Sequence, residues 1–195
     1  MQTTNTVLNG VDLERLTQNI EAITAQPALA KFQFRLSNQW IDGGYNQSSI
    51  KDFFGVGKED DTREVPFILA NDEPYVLLGQ DNAPNPAEFV LHALAGCITT
   101  SMVYHAAARG YEIKKVETTL KGNIDLRGFL GIDPSVRKGY EEINVTLDVE
   151  GNFSEQEKKE ILALTSFSPV LDTLSNPVAV KISLNVKQDT EVVDC

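Results

Sequence analysis

The sequence is poor in the residues that build metal centres and disulfide frameworks. It holds two cysteines, Cys97 and Cys195, and two histidines, His92 and His105. Two thiols in a chain of 195 residues make no disulfide framework. The histidines stand thirteen residues apart within one apolar segment, a spacing that puts them at different ends of a helix and makes a poor metal pair. Basic residues are scarce as well: 17 Lys and Arg face 28 Asp and Glu, for a net charge of −11. A protein that tracks phosphates needs a basic surface, so nucleic acid is excluded as a partner, and an anionic membrane is disfavoured on the same ground. No run approaches the ~18 consecutive apolar residues of a membrane helix. Residues 1–10 lack the basic start and apolar stretch of a secretory signal, which leads to the expectation of a soluble cytoplasmic protein. Gly55-Val56-Gly57 is too short for a phosphate loop, and no Gly-x-Ser-x-Gly elbow occurs. Repeats and low-complexity segments are absent too.

What is present suits one domain with appendages: 42% of residues are apolar and 23% charged. Residues 1–10 read as a polar, frayed lead-in. Leu13, Leu16, Ile20 and Ile23 recur at helical spacing up to Pro27, predicting an amphipathic helix over 12–26. Its stripe must bury against the chain's own body or a partner. Phe32, Phe34, Leu36 and Trp40 share one parity and predict a strand ending at Asp42-Gly43-Gly44. The stretch 45–85 is irregular, with short strands expected at 66–70 and 75–78 that should pair.

Asn85-Pro86-Ala87-Glu88 then combines an N-cap residue, a first-position proline and a capping-box glutamate. The helix it opens should run about 24 residues, or about 36 Å, to a left-handed stop at Gly110. Its middle, Val90 to Ile98, is apolar on nearly every side, which predicts a buried central helix. Two alternating stretches follow, through Val116, Thr118 and Leu120 and through Ile143, Val145 and Leu147; they read as an antiparallel pair with a long connector at 127–140. Ser154-Glu155-Gln156-Glu157 opens a second capped helix, interrupted at Phe167-Ser168-Pro169. Asn176-Pro177 turns the chain into a last strand carrying Val178, Val180, Ile182, Leu184 and Val186 on one face. Without a βαβ rhythm the class is α+β, with antiparallel or mixed sheets.

Among the side chains that carry chemistry, Cys97 stands out. A helical cysteine among small apolar residues is commonly a packed hydrophobe. Against that, the residues around it are small or hydroxylic, and Ser101 and His105 continue a polar stripe at i+4 and i+8. Cys97 lies three turns inside the helix, beyond the reach of the macrodipole. A thiolate there needs a local cation or hydrogen-bond donors, and none is adjacent in sequence. Both histidines read as hydrogen-bonded helical residues.

The order of parts resembles the OsmC/Ohr family of osmotically inducible and organic-hydroperoxide-resistance proteins. The resemblance rests on the block from Asn85-Pro86-Ala87-Glu88-Phe89 through Ala95-Gly96-Cys97 to Ala108-Arg109-Gly110, followed by Phe167-Ser168-Pro169-Val170 and Asn176-Pro177-Val178. It divides the chain into an N-terminal extension (1–30), an OsmC-like domain (31–187) and a polar tail (188–195). It implies an intertwined homodimer with antiparallel or mixed sheets around a long central helix. It also implies Cys97 as the attacking thiolate, with a small organic hydroperoxide as substrate and no cofactor. Ser168, Ser101 and Glu88 become candidate substrate-binding residues beside it.

Three departures bear on that chemistry. The position of the family's resolving cysteine is Ser168, so a disulfide cycle within the chain would need Cys195 to reach round. The family's helix-start glutamate follows the proline directly, where this chain has Ala87; Glu88 lies one place later and fits the capping box. The family's arginine near the sulfur has no counterpart in Asp42-Gly43-Gly44-Tyr45, leaving Arg35 or Arg63 as substitutes. A one-cysteine peroxidase cycle resolved by an external thiol remains. The alternative is a non-enzymatic dimeric module binding a small hydrophobic ligand, with Cys97 packed and inert.

Overall fold

The computed structural model describes residues 7–186. From Val7 onward the expected frayed lead-in is a hairpin: β1 (Val7–Leu8) and β2 (Val11–Asp12) turn on Asn9-Gly10. Both turn residues have positive φ, 53° and 77°, as a type I′ turn requires. The Asn9 side chain docks the hairpin on the body. Its Nδ2 donates to the Tyr111 carbonyl and its Oδ1 accepts from the Ile113 N–H, each at 2.9 Å. Asp12 caps α1 (Leu13–Ala25) by accepting from the Arg15 N–H, and Pro27 ends it in a 3-10 turn. The expected helix is there, yet none of its residues is buried.

The single strand expected across 32–40 is two strands in different sheets. β3 (Gln33–Phe34) and β4 (Ser37–Asp42) are followed by β5 (Tyr45–Ile50), β6 (Phe53–Gly55), β7 (Lys58–Asp60) and β8 (Phe67–Asn71). These form antiparallel sheets in the orders β3-β6-β7 and β4-β5-β8. The break has a pairing cause: β3 ends opposite Phe53 and β4 begins opposite Ser49, so Arg35-Leu36 and Lys51-Asp52 step from one sheet to the other together.

The segment 66–70 is indeed a strand, β8, but its partner is β5. Residues 75–78 are not one: Tyr75–Leu77 form a 3-10 turn. Asp72 is the cause. Its side chain, 1% exposed, accepts from the N–H groups of Glu73, Gln80 and Asn82 at 2.8, 3.3 and 3.0 Å. With three amides drawn onto one carboxylate, the segment closes as a loop instead of extending into a ladder. These bonds, the Asn82 amide first, hold the Asp72 carboxyl below the usual carboxylate range. Gly79 is required, since a Cβ there would lie 1.8 Å from the Glu73 carbonyl oxygen.

The capped helix is α2 (Pro86–Ala108), with both reciprocal bonds of its capping box formed and Gly110 at φ 80° as the stop. β9 (Ile113–Asn123) follows, then the short α3 (Leu126–Phe129) inside the long connector, then β10 (Glu142–Gly151) antiparallel to β9. α4 (Glu155–Ala163) opens on the Ser154 capping box, and a 3-10 turn leads into α5 (Pro169–Ser175). Met102, Ala106, Ile161 and Leu164 form the core, with Ile113, Val116, Leu147, Val149 and Phe153 packed against them. The Tyr111 hydroxyl donates to the Glu160 carboxylate and ties α4 to the start of β9.

Two expectations about burial are overturned. α2 is not enclosed on every side. Leu94, Ile98, Met102 and Ala106, each four residues on, form a buried stripe, while Ala93, Gly96, Thr100 and Tyr104 face outward. Length and composition alone would let α2 cross a membrane, but its buried stripe packs in the core with α4 and the β9–β10 sheet. The last strand is also missing. Residues 177–186 keep their alternation but join no ladder, and Ile182 is 92% exposed. A strand exists through its ladder, and these residues meet no sheet edge of their own chain.

Candidate functional site

Cys97 is a free, half-buried thiol on α2. At about 100° per residue, Cys97, Ser101 and His105 form a second stripe alongside the buried one, and all three are half-buried. The His105 ring stacks on Phe167 with centroids 4.0 Å apart. The next residue is Ser168, 1% exposed, whose Oγ accepts from the Leu171 N–H at 3.2 Å and caps α5. The contact with the Ser168 segment is made by His105, eight residues and about 12 Å along the axis beyond Cys97. On the opposite flank the Thr99 hydroxyl bonds the Thr118 hydroxyl at 2.7 Å and fixes the helix to β9.

Glu88 belongs elsewhere. Its carboxylate accepts from the Asn85 N–H at 2.9 Å, nine residues before Cys97, which is about 14 Å along the axis. It serves as the cap glutamate. Neither candidate arginine is free for the thiol: Arg35 pairs with Glu59, and Arg63 donates to the Lys51 carbonyl at 2.7 Å. The Arg63 guanidinium also lies over the Phe53 and Phe67 rings at 5.2 and 5.3 Å, so aromatic faces and a carbonyl hold it in the N-terminal sheets.

The residues that reading by sequence misses are Arg109 and Phe167. Arg109 Nη1 donates to the His105 carbonyl at 3.1 Å, and its guanidinium sits 5.7 Å from the Phe167 ring. Burial, then Arg109, pushes the His105 pKa below its ordinary value, which favours the neutral ring. The signal was the spacing itself, since Arg109 continues the run of Cys97, Ser101 and His105 by four more residues. His92 is exposed and meets the Phe89 ring edge-on. Among the described residues, no three His, Cys, Asp or Glu side chains gather as a metal site would need. The arrangement offers one nucleophilic sulfur with hydroxyls and a neutral imidazole along its stripe.

The family model for OsmC-like proteins matches residues 79–183, more than half of the chain. This chain belongs to the OsmC-like protein family. The matched span of this OsmC-like protein runs from the Asp72 loop through α2, the β9–β10 sheet and α5. Solved structures agree in fold. An OsmC-like protein from Mycoplasma pneumoniae gives a TM-score of 0.55 at 20% identity, covering 80% of this chain and 96% of its own. An organic hydroperoxide resistance protein OsmC from Legionella pneumophila gives 0.50 at 17% identity, covering 79% and 97%. A hypothetical protein from Aquifex aeolicus gives 0.50 at 17% identity, covering 80% and 96%. A comparison with curated proteins finds no match.

Proposed function

We propose that this OsmC-like protein is a homodimeric stress protein that reduces small organic hydroperoxides through Cys97 in a one-cysteine cycle. The observation that carries the reading is the half-buried Cys97 thiol, in line with Ser101 and His105 on one stripe of α2, within the family's matched span. The family relation to an organic hydroperoxide resistance protein supports the substrate class. The Cys97 thiolate attacks the terminal peroxide oxygen; the O–O bond breaks, the alcohol leaves with a proton, and the sulfur becomes a sulfenic acid. One external thiol condenses with it, releasing water and forming a mixed disulfide. A second external thiol displaces Cys97 and leaves as the oxidised disulfide. Ser168 cannot resolve the sulfenic acid, and its hydroxyl is committed to the α5 cap. It lines the approach instead.

The dimer is supported by area. The chain exposes 15236 Å². A compact monomer of this mass, 21.5 kDa, would expose about 9,000 Å². The excess is larger than any placement of the fifteen undescribed terminal residues could supply.

A second reading, a binding module with an inert Cys97, is favoured by one observation: Arg35 and Arg63 are engaged away from α2. The pH dependence of Cys97 alkylation in a Cys195→Ser background decides between the two. A midpoint well below ~8.5, with cumene hydroperoxide consumption lost in Cys97→Ser, supports the peroxidase. A midpoint at or above that value, or unchanged consumption in Cys97→Ser, leaves the binding module.

A further inference from the structure

We infer that Asn9-Gly10 is a modification site: docking of the N-terminal hairpin on β9 holds back deamidation of Asn9, and deamidation in turn releases the hairpin. The inference goes beyond the Cys97 chemistry proposed above and does not depend on it.

Of all the asparagines in the sequence, only Asn9 is followed by glycine. That dipeptide is the most open to attack from within, because glycine has no side chain to shield its nitrogen and its backbone turns freely. Gly10 is exposed, and nothing stands within 4 Å of where its Cβ would be. The Gly10 nitrogen attacks the Asn9 Cγ as its proton passes to water. The Cγ–Nδ2 bond then breaks, and ammonia leaves with a proton returned by water, closing a five-membered succinimide. Water opens that ring at either carbonyl. One product is aspartate; the other is isoaspartate, in which the main chain runs through Cβ.

The docked hairpin opposes the first step. Asn9 Nδ2 is held by the Tyr111 carbonyl and Oδ1 by the Ile113 N–H, each at 2.9 Å, so both ends of the amide are tied to β9. Swinging Cγ onto the Gly10 nitrogen breaks both bonds, and the reaction therefore passes through an undocked arm. That arm is lightly held. β1 and β2 have two residues each, Leu8, Val11, Leu13 and Leu16 are only half-buried, and no residue of α1 is buried. Segments with so little burial open locally at small cost.

Neither product returns to the docked state. Aspartate carries two acceptor oxygens, and the one that takes the place of Nδ2 meets another acceptor, the Tyr111 carbonyl. Isoaspartate adds a backbone carbon to a turn whose two residues both need positive φ, and so shifts β1 against β2. The arm then stays off the core, and an undocked segment is where proteases cut first.

The test follows Asn9 by peptide mass spectrometry while the full chain is incubated in warm neutral buffer, folded or in urea. Conversion in the folded chain should be slower than in urea by roughly tenfold or more. Leu16→Ala, which thins the arm's packing and keeps a good helix former, should speed conversion of folded Asn9 several-fold and leave the other asparagines as they were. Equal rates folded and in urea overturn the protection. A Leu16→Ala chain that converts no faster than the native one overturns the passage through an undocked arm. Asn9→Asp then stands in for the aspartate product. Trypsin should cut it at Arg15 several-fold faster than the native chain and faster than Asn9→Ala, while α2 keeps its helical circular dichroism; cleavage at the native rate overturns the release.

Discussion

The two halves of the chain keep their shape by different means. From α2 onward the fold is held by burial: Leu94, Ile98, Met102, Ala106, Ile161 and Leu164 are all nearly inaccessible. Before α2, the buried side chains are Ser48 and Asp72, both polar, while Phe34, Trp40 and Phe67 are more than half exposed. Ladders, capping bonds and the Asp72 loop hold that half, and its large apolar side chains point outward. The difference teaches where the chain is finished and where it is not. The stretch from α2 to α5 has its own core, while residues 178–186 and the N-terminal half leave large apolar side chains exposed.

Mutations in the two halves should therefore behave differently. The largest effect is expected at Met102→Ala, which opens a cavity in the core and should cost about 2–5 kcal/mol in denaturant unfolding. A loss under about 1 kcal/mol would break the comparison, because the best-buried residue would then be doing little. Phe67→Ser should cost about 1 kcal/mol or less in dilute protein, from the lost Arg63 contact. Its cost should grow with protein concentration as association is weakened; a concentration-independent cost would mean that the N-terminal half is complete in one chain.

Asn9→Ala tests the hydrogen-bonded tie between the N-terminal hairpin and the start of β9. It should cost about 1 kcal/mol and speed hydrogen exchange at the Ile113 amide, with the rest of β9 unchanged. The smallest effect concerns Asp125. The Arg127 guanidinium, then the Arg127 amide, holds its carboxyl down at about 2, from an ordinary 3.8. A depressed carboxyl stabilises the fold above its unfolded value, and that contribution fades as pH falls from 3.8 toward about 2. Asp125→Asn should remove this part of the acid titration, lowering stability slightly at neutral pH and leaving the two proteins alike below about pH 2, which an acid unfolding series would show.

Where local chemistry decides the structure, reading the sequence succeeds. Both capping boxes, the Gly110 stop and the β9–β10 alternation appear as written, because each depends on neighbours within a few residues. Reading fails where the deciding partner is distant. Nothing local says that Asp72 will collect the amides of Gln80 and Asn82, or that the strand beginning at Phe32 must change sheets at Arg35. The Asn9-Gly10 turn was legible and was hidden only by the polarity around it. For the site, the Cys97–Ser101–His105 stripe could be read from spacing, and the position of Ser168 followed from the family resemblance. The engagement of Arg35 and Arg63 could not, since salt bridges and aromatic contacts across sheets leave no trace in spacing.

The thiol is addressed by phase rather than by distance. Each residue of α2 turns the helix by about 100° and advances it 1.5 Å, so one residue added between the Asn85 cap and Cys97 would move the sulfur hardly at all along the axis. It would nevertheless swing it a quarter turn or more, away from its present bearing. Four added residues would return it to nearly the same bearing, about one turn further on. A reactive site built this way tolerates changes of length in whole turns and resists single insertions, even where every side chain around the sulfur is left untouched.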